Sequence, residues 1–356
     1  MNLTKKTNRS KLRKKLILLG VALGLTGLLS ACGSNGDKAA SADEQVTVKI
    51  GILKNVTHAP GFVALKNGYF QDEFGKNAKI EVTAFDNGSD FSTAIATNQI
   101  DLGYVGPGPA INQYLKSKNF RIIAGSNNGG AVLIAGKEAG ISSVKDLVGK
   151  TVAIPTKGST NEISLRLLLQ QEGLKVTTDK SGVQIITRAP ADTLVAMRQK
   201  EVDATLIPEP WGTQMVEEGS GVVLVDWDKI PPNDGNYPLT ILMASDKFLK
   251  DHRDLAKGAI KANEEGIDFI KQHPDDSYAI ISDELKELSG KGMDAKLIKA
   301  ALDHLNLTED VDLDVIKTMA KVSFDAGYIK GIDDESQVDL SQFYDPSVLD
   351  EAKKDK

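Results

Sequence analysis

From residue 46 to residue 225, short apolar and β-branched runs alternate with stretches of helical spacing. The runs at 46–53, 79–85, 100–105, 120–124, 131–135, 151–154, 183–187, 202–207 and 221–225 read as strands, because such residues, bounded by Gly, Pro, Asn and Asp, suit a pleated and buried surface. Helices fall between them at 61–67, 91–98, 110–117, 142–148, 161–172 and 193–199. Pro60 fits a first helical turn, and Ser89 or Asp90, Ser142 or Ser143, and Asp192 are the expected caps, since short oxygen side chains satisfy the open N–H groups of a helix start. The alternation predicts an α/β chain of parallel-type sheets flanked by helices. After one more strand at 239–244 the pattern turns helical, at 246–251, 255–272, 275–288, 294–305 and 311–326. Residues 340–345 read as an irregular tail packed on the body.

The chain echoes itself once. Ile100-Asp101-Leu102-Gly103-Tyr104-Val105 before Gly106-Pro107 parallels Val202-Asp203-Ala204-Thr205-Leu206-Ile207 before Pro208-Glu209. Each is an apolar residue, an aspartate, a strand, a proline turn and a helix. Two similar α/β halves facing one cleft would produce this, and so would chance likeness between two short strands.

The N-terminus reads as a leader. Seven basic and no acidic residues precede Cys32, and residues 16–29 are almost wholly apolar. A cationic start, a short apolar run and a small-residue cleavage site make a secretory signal, too short for a membrane-spanning helix. Leu29-Ser30-Ala31-Cys32 resembles the lipobox of bacterial lipoproteins, which implies cleavage before Cys32 and lipid on its thiol. The alternative is an ordinary signal with an accidental cysteine. Residues 32–45 have the composition of a flexible tether. The expectation is a body anchored to the outer face of a cell membrane, with lipidation pointing indirectly to a Gram-positive surface.

Charge and residue type narrow the function. Of 43 Lys and Arg, the leader holds seven; the remaining 36 stand against 49 Asp and Glu, a net charge of −13. That disfavours nucleic acid and a broad polybasic hold on anionic lipid. Cys32 is the only cysteine, so once lipidated it leaves neither a disulfide nor a thiol nucleophile. His58, His252, His273 and His304 have no metal-ligand spacing, and no metal or cofactor is expected. The length beyond the leader favours two domains.

Several stretches together carry a family likeness. They are Thr57-His58-Ala59-Pro60, Ala64-Leu65-Lys66-Asn67-Gly68-Tyr69-Phe70, Ile100 to Tyr104 with Gly106-Pro107, Asp146-Leu147 with Gly149-Lys150-Thr151-Val152-Ala153, and Glu209-Pro210-Trp211. In this order they resemble the solute-binding lipoproteins of the nitrate/sulfonate/taurine class of ABC importers. The resemblance implies a two-domain periplasmic-binding-protein fold with two crossovers, a cleft that closes by a hinge, and partners in an ABC permease and ATPase. By that analogy domain 1 is 46–130 plus 240–356 and domain 2 is 131–239, with hinges near 129–131 and 237–240. A monomer and no enzymatic activity are implied as well.

In open α/β sheets, ligands sit off the carboxyl ends of strands beside helix N-termini, whose unpaired N–H groups and dipoles attract anions. The candidate ligand residues are therefore Thr57, His58, Ser89, Gly106, Pro107, Asn127, Asn128, Lys157, Gly158, Ser159, Thr160, Arg188, Glu209 and Trp211. Lys157-Gly158-Ser159-Thr160 is the foremost anion subsite, although a capped helix start needs only one of its hydroxyls. His58, Ser89, Asn127, Asn128 and Trp211 each fit a structural role equally. Glu209 suits either a bond to the opposite domain or an amine on the ligand, and Arg188 either the cleft edge or the surface. An organosulfonate is the leading ligand by family likeness. A thiamine-precursor pyrimidine stacked on Trp211 and Tyr104, then nitrate or bicarbonate, are the alternatives. An enzyme on the same fold lacks a nucleophile here, and an adhesin lacks aromatic patches or repeats.

Overall fold

A computed structural model describes residues 45–290 and 292–355. The leader, Cys32 and all but the last residue of the tether lie outside them. The chain runs β1 (Val46–Leu53), α1 (Ala59–Lys66), α2 (Tyr69–Phe74), β2 (Ala78–Phe85), α3 (Gly88–Ala96), β3 (Leu102–Val105), α4 (Pro107–Ser117) and β4 (Phe120–Gly129). It continues through β5 (Ala131–Gly136), β6 (Thr151–Ile154), α5 (Thr160–Gln171), β7 (Gln184–Thr187), α6 (Pro190–Arg198), β8 (Ala204–Pro208), α7 (Trp211–Glu217) and β9 (Gly221–Val225). The last part holds β10 (Pro238–Ser245), α8 (Asp246–Asp251), α9 (Arg253–Gln272), α10 (Pro274–Ser289), α11 (Ala295–Leu302), β11 (Leu305–Leu307), α12 (Leu313–Asp325) and α13 (Pro346–Lys354). Among the described residues no helix is long and apolar enough to cross a membrane.

Two sheets organise these elements, in the orders β11-β4-β10-β3-β1-β2 and β7-β6-β8-β5-β9. Each contains a parallel βαβαβ core, β2-β1-β3 in one and β7-β6-β8 in the other. The expectation of parallel-type sheets needs correction at the remaining strands. β10 runs antiparallel to β3 and β4, β11 to β4, and β5 to β8 and β9, so both sheets are mixed. Strand direction is set by how the chain returns from one sheet to the other, which local composition does not encode.

The internal echo has a physical cause. Asp101 accepts a hydrogen bond from the Lys49 N–H at 2.9 Å, and Asp203 accepts one from the Thr151 N–H at 2.8 Å, each across 52 residues. The backbone returns the pairing, Asp101 N–H to Lys49 and Asp203 N–H to Thr151. One carboxylate therefore pins the start of β3 against β1, and its counterpart pins β8 against β6.

Local differences follow from packing. β4 continues through Gly125 to Gly129, a stretch whose composition predicts a turn, because β10 and β11 flank it and use its backbone groups. Leu305–Leu307 leaves the expected last helical turn to make that pairing. The cap of α3 is Asn87, whose side chain accepts from the Asp90 N–H, rather than Ser89 or Asp90. α2 and α13 are additional helices, and α7 is the helix that the second copy of the internal echo calls for. The tail before α13 does pack on the body: Phe343 is fully buried and Tyr344 bridges to Ile122.

Truncating either pin, Asp101→Ala or Asp203→Ala, leaves a ladder N–H without its acceptor. Each change is expected to lower unfolding free energy by ~1–3 kcal/mol, read as an earlier urea midpoint with unchanged slope; an unshifted midpoint would remove the pins from the account of register.

Candidate functional site

The carboxyl ends of both parallel cores point at one small cavity of about 60 Å³. The loops after β1, β2 and β3 bring Asn55 to His58, Asp86 to Gly88, and Gly106 with Pro109 to its wall. The loops after β6, β7 and β8 bring Pro155 with Thr156, Ser159 to Asn161, Pro190 and Pro208. Five helices of eight to twelve residues, α1, α3, α4, α5 and α6, begin at these loops. Each contributes the positive end of its dipole. Pro107 and Pro190 remove the first N–H of α4 and α6. α3 and α5 start at Gly88 and Thr160, which keep theirs and have no carbonyl partner within their own helix.

No lysine or arginine lines the cavity, and its one formally charged lining residue, Asp86, pairs with Lys54. His58 is buried, and burial pushes its imidazole down to about 3, so it is neutral near pH 7. Its Nδ1 accepts from the Leu53 N–H at 3.5 Å and its ring meets the Tyr104 ring edge-on. Asn161 is 5% exposed, and its Nδ2 has no hydrogen-bond partner. An unpaired buried amide donor is costly, and here it belongs to a residue of the cavity wall.

The two halves meet closely beside this cavity. Thr160 Oγ1 accepts from the Gly108 N–H at 3.1 Å, and Asn112 Nδ2 donates to the Gly158 carbonyl at 3.2 Å. A Cβ on Gly106 would lie 2.6 Å from Thr160 Oγ1, and one on Gly108 2.7 Å from the Thr160 nitrogen. The glycines of the 106–108 turn thus make room for the turn that opens α5.

Of the candidates read from sequence, Thr57, His58, Gly106, Ser159 and Thr160 are on the wall. The others are not, each for a visible reason. Ser89 is exposed on α3 and faces a separate hollow. Pro107 is buried as the first residue of α4. Asn127 and Asn128 are held inside the sheet, the first donating to the Gly129 carbonyl and the second to Asn236. Lys157 extends over the Tyr328 ring, 5.3 Å from its centroid, and Gly158 supplies the left-handed turn beneath it. Arg188 pairs with Glu201 at 3.1 Å. Trp211 packs on the apolar core around Val132, Met197 and Met215.

Glu209 takes the first of its two expected roles. It is fully buried, its Oε1 lies 2.7 Å from His304 Nδ1, and its Oε2 accepts from the Thr213 N–H at 3.0 Å. His304 precedes β11, so the contact ties the end of β8 to the other sheet. The Glu209 hydrogen bond raises the His304 pKa, and the Trp227 ring stacks on the imidazole at 6.2 Å. Sequence reasoning missed Asn55, Asn87 and Asn161 on the wall. All three sit at or next to a helix start after a strand, the signal that could have found them.

Residues 41–281 match the model of the NMT1-like family. The chain belongs to that family. Another protein similar to this NMT1-like chain comes from Bacillus subtilis (strain 168) and carries the provisional name aliphatic sulfonates-binding protein. It is 26% identical over 347 residues, covering 96% of this chain and 97% of its own. Two solved structures share the fold. The alkanesulfonate-binding protein SsuA from Xanthomonas axonopodis pv. citri, bound to MOPS, superposes with a TM-score of 0.69 at 18% identity, over 81% of this chain and 96% of its own. The periplasmic nitrate-binding protein NrtA from Synechocystis PCC 6803 gives 0.71 at 15% identity, over 88% and 89%. The likeness to the nitrate/sulfonate/taurine class of solute-binding proteins is borne out, and the fold is that of the periplasmic binding proteins.

The two histidines give stability opposite pH dependences. For His58 the unfolded chain takes up a proton near the ordinary value of 6.5 that the folded chain refuses until about 3. Stability is therefore lost as pH is lowered across that window, by ~1.4 kcal/mol per unit. His304 is raised by Glu209, so its contribution is complete below the ordinary histidine value and fades as pH rises through the higher folded value. Thermal midpoints across pH are expected to lose acid slope in His58→Gln and the alkaline decline in His304→Gln; unchanged profiles would contradict both assignments.

Proposed function

We propose that this chain is an extracytoplasmic substrate-binding protein of an ABC importer. It captures a small anion between two lobes, residues 46–130 with 240–356 and residues 131–239, that close about the crossovers near 129–131 and 237–240. Lipid on Cys32 holds it at the membrane beside its permease and ATPase. An organosulfonate is the leading solute, as the names of its relatives suggest. The observation that carries the reading is the convergence of five helix starts from both halves on a cavity with no cation on its wall. Dipoles and amide donors can hold a compact anion there, and an acidic protein needs no net positive surface to do so.

The cavity size favours a second solute class. A space of about 60 Å³, at ~10–15 Å³ for each water it would hold, has room for a few waters, which suits a compact anion such as nitrate or bicarbonate. The stacked pyrimidine loses its support, because neither Trp211 nor Tyr104 lines the cavity.

Ser159 and Thr160 hydroxyls are already engaged, as the α5 cap and as the acceptor for Gly108. Asn161 is the better probe. In calorimetry, Asn161→Ala is expected to weaken binding of the best solute among methanesulfonate, taurine, nitrate and bicarbonate by about ten-fold or more, the worth of a hydrogen bond to a charged group. The solute-free melting temperature should hold or rise, since an unpaired buried donor is removed. Equal affinity in the variant, or no thermal shift of the parent with any of the four, would overturn this reading.

A further inference from the structure

In a separate hollow of about 600 Å³, lined by Lys157, Glu162, Arg166 and Tyr328, a group from the C-terminal part of the chain reaches onto α5, whose first turn supplies Thr160 and Asn161 to the cavity wall. Tyr328, half-buried just beyond α12, donates its hydroxyl hydrogen to Glu162 Oε1 and accepts from Arg166 Nη2 at 2.7 Å. Glu162 is 2% exposed. Its other oxygen, Oε2, accepts from the Gly158 N–H at 2.7 Å, and Arg166 Nε donates back to Oε1 at 3.0 Å. Lys157 and Arg166 both lie over the Tyr328 ring, at 5.3 Å each.

We propose that Tyr328 is a positioning residue that holds the cleft shut: through Glu162 it fixes the 157–160 turn on the cavity wall and so slows release of the captured solute. The network divides unequally between the two halves. Glu162 and Arg166 are one helical turn apart on α5, so their pair survives when the halves separate. Gly158 stays with Glu162 for the same reason. Tyr328 belongs to the other half, so its hydroxyl bonds and the two cation contacts of its ring would be lost on separation of the halves. An interaction present in one state alone biases the equilibrium toward that state by its full differential free energy. Because Glu162 keeps Arg166 on opening, no bare buried carboxylate is left behind, and the contact can release as well as hold. Lys157 spends its charge here, on the ring of Tyr328, instead of on an anion in the cavity.

The effect on release rests on the proposed solute capture; the effect on closure does not. The test uses the full chain with Cys32→Ser, Lys116→Cys and Lys180→Cys, spin labels on the two introduced cysteines, and interlabel distances from pulsed electron resonance. Lys116 is exposed on α4 and Lys180 is exposed before β7, one in each half. Tyr328→Phe, which keeps the ring and removes the hydroxyl, is expected to shift the closed-to-open ratio toward open by about ten-fold and to raise the dissociation rate of methanesulfonate by a similar factor. Its melting temperature should stay close to the parent's. Glu162→Gln serves as the second variant, with the same expected shift in distance. Distances that match the parent's in both variants, without solute and with saturating methanesulfonate, would overturn the proposal. If the parent fails to bind methanesulfonate, the sulfonate reading falls, and the solute-free distances still decide the role of Tyr328.

Discussion

The structure depends on two parallel βαβαβ cores turned so that their strand ends confront each other. Once that is set, the rest is forced. Five of the six helices that follow a core strand begin at the shared gap, and the loops before them contribute its wall. Asp101 and Asp203 fix the register within each core by tying β3 and β8 to the central strands β1 and β6, 52 residues earlier. The cavity is thus a product of topology, with side chains adjusting what the backbone field already provides.

This arrangement explains how an acidic chain can present an attractive interior to an anion. The cations that sequence reasoning assigned to the cleft are spent elsewhere, Lys157 on an aromatic ring and Arg188 on Glu201. A lysine or arginine on the wall would bind more strongly but would also need a counterion when the site is empty. Amide donors and helix ends carry no such requirement. Polar contacts that join the halves include Glu209 with His304 near the crossover, Thr160 with Gly108 and Gly158 with Asn112 beside the cavity, and the Tyr328 group on α5.

Much of the fold was legible from residue pattern. The alternation of elements, the helical block after residue 245 and the Asp-strand-proline echo all correspond to observed features. What composition could not supply was strand direction and partnership. The Gly125 to Gly129 stretch reads as a turn by every local criterion, yet β10 and β11 draw it into a sheet. The wall was half legible for a similar reason. Thr57, His58, Gly106, Ser159 and Thr160 follow from being at strand ends, whereas Asn161 requires knowing which way the first turn of α5 faces. Ser89, two positions from the true cap Asn87, faces outward.

Gly129, the last residue of β4, and Gly130 lead from one sheet into β5, the first strand of the other, and both are left-handed, with φ of +68° and +84°. A Cβ on Gly130 would come within 2.8 Å of Leu305. The course of the chain between the two sheets is therefore set by main-chain torsions at two glycines, and a Cβ on Gly130 would also lie 3.4 Å from Thr57 on the cavity wall. Substitutions around this pair would therefore act on the path of the backbone from one sheet to the other and leave the side chains of the wall themselves unchanged.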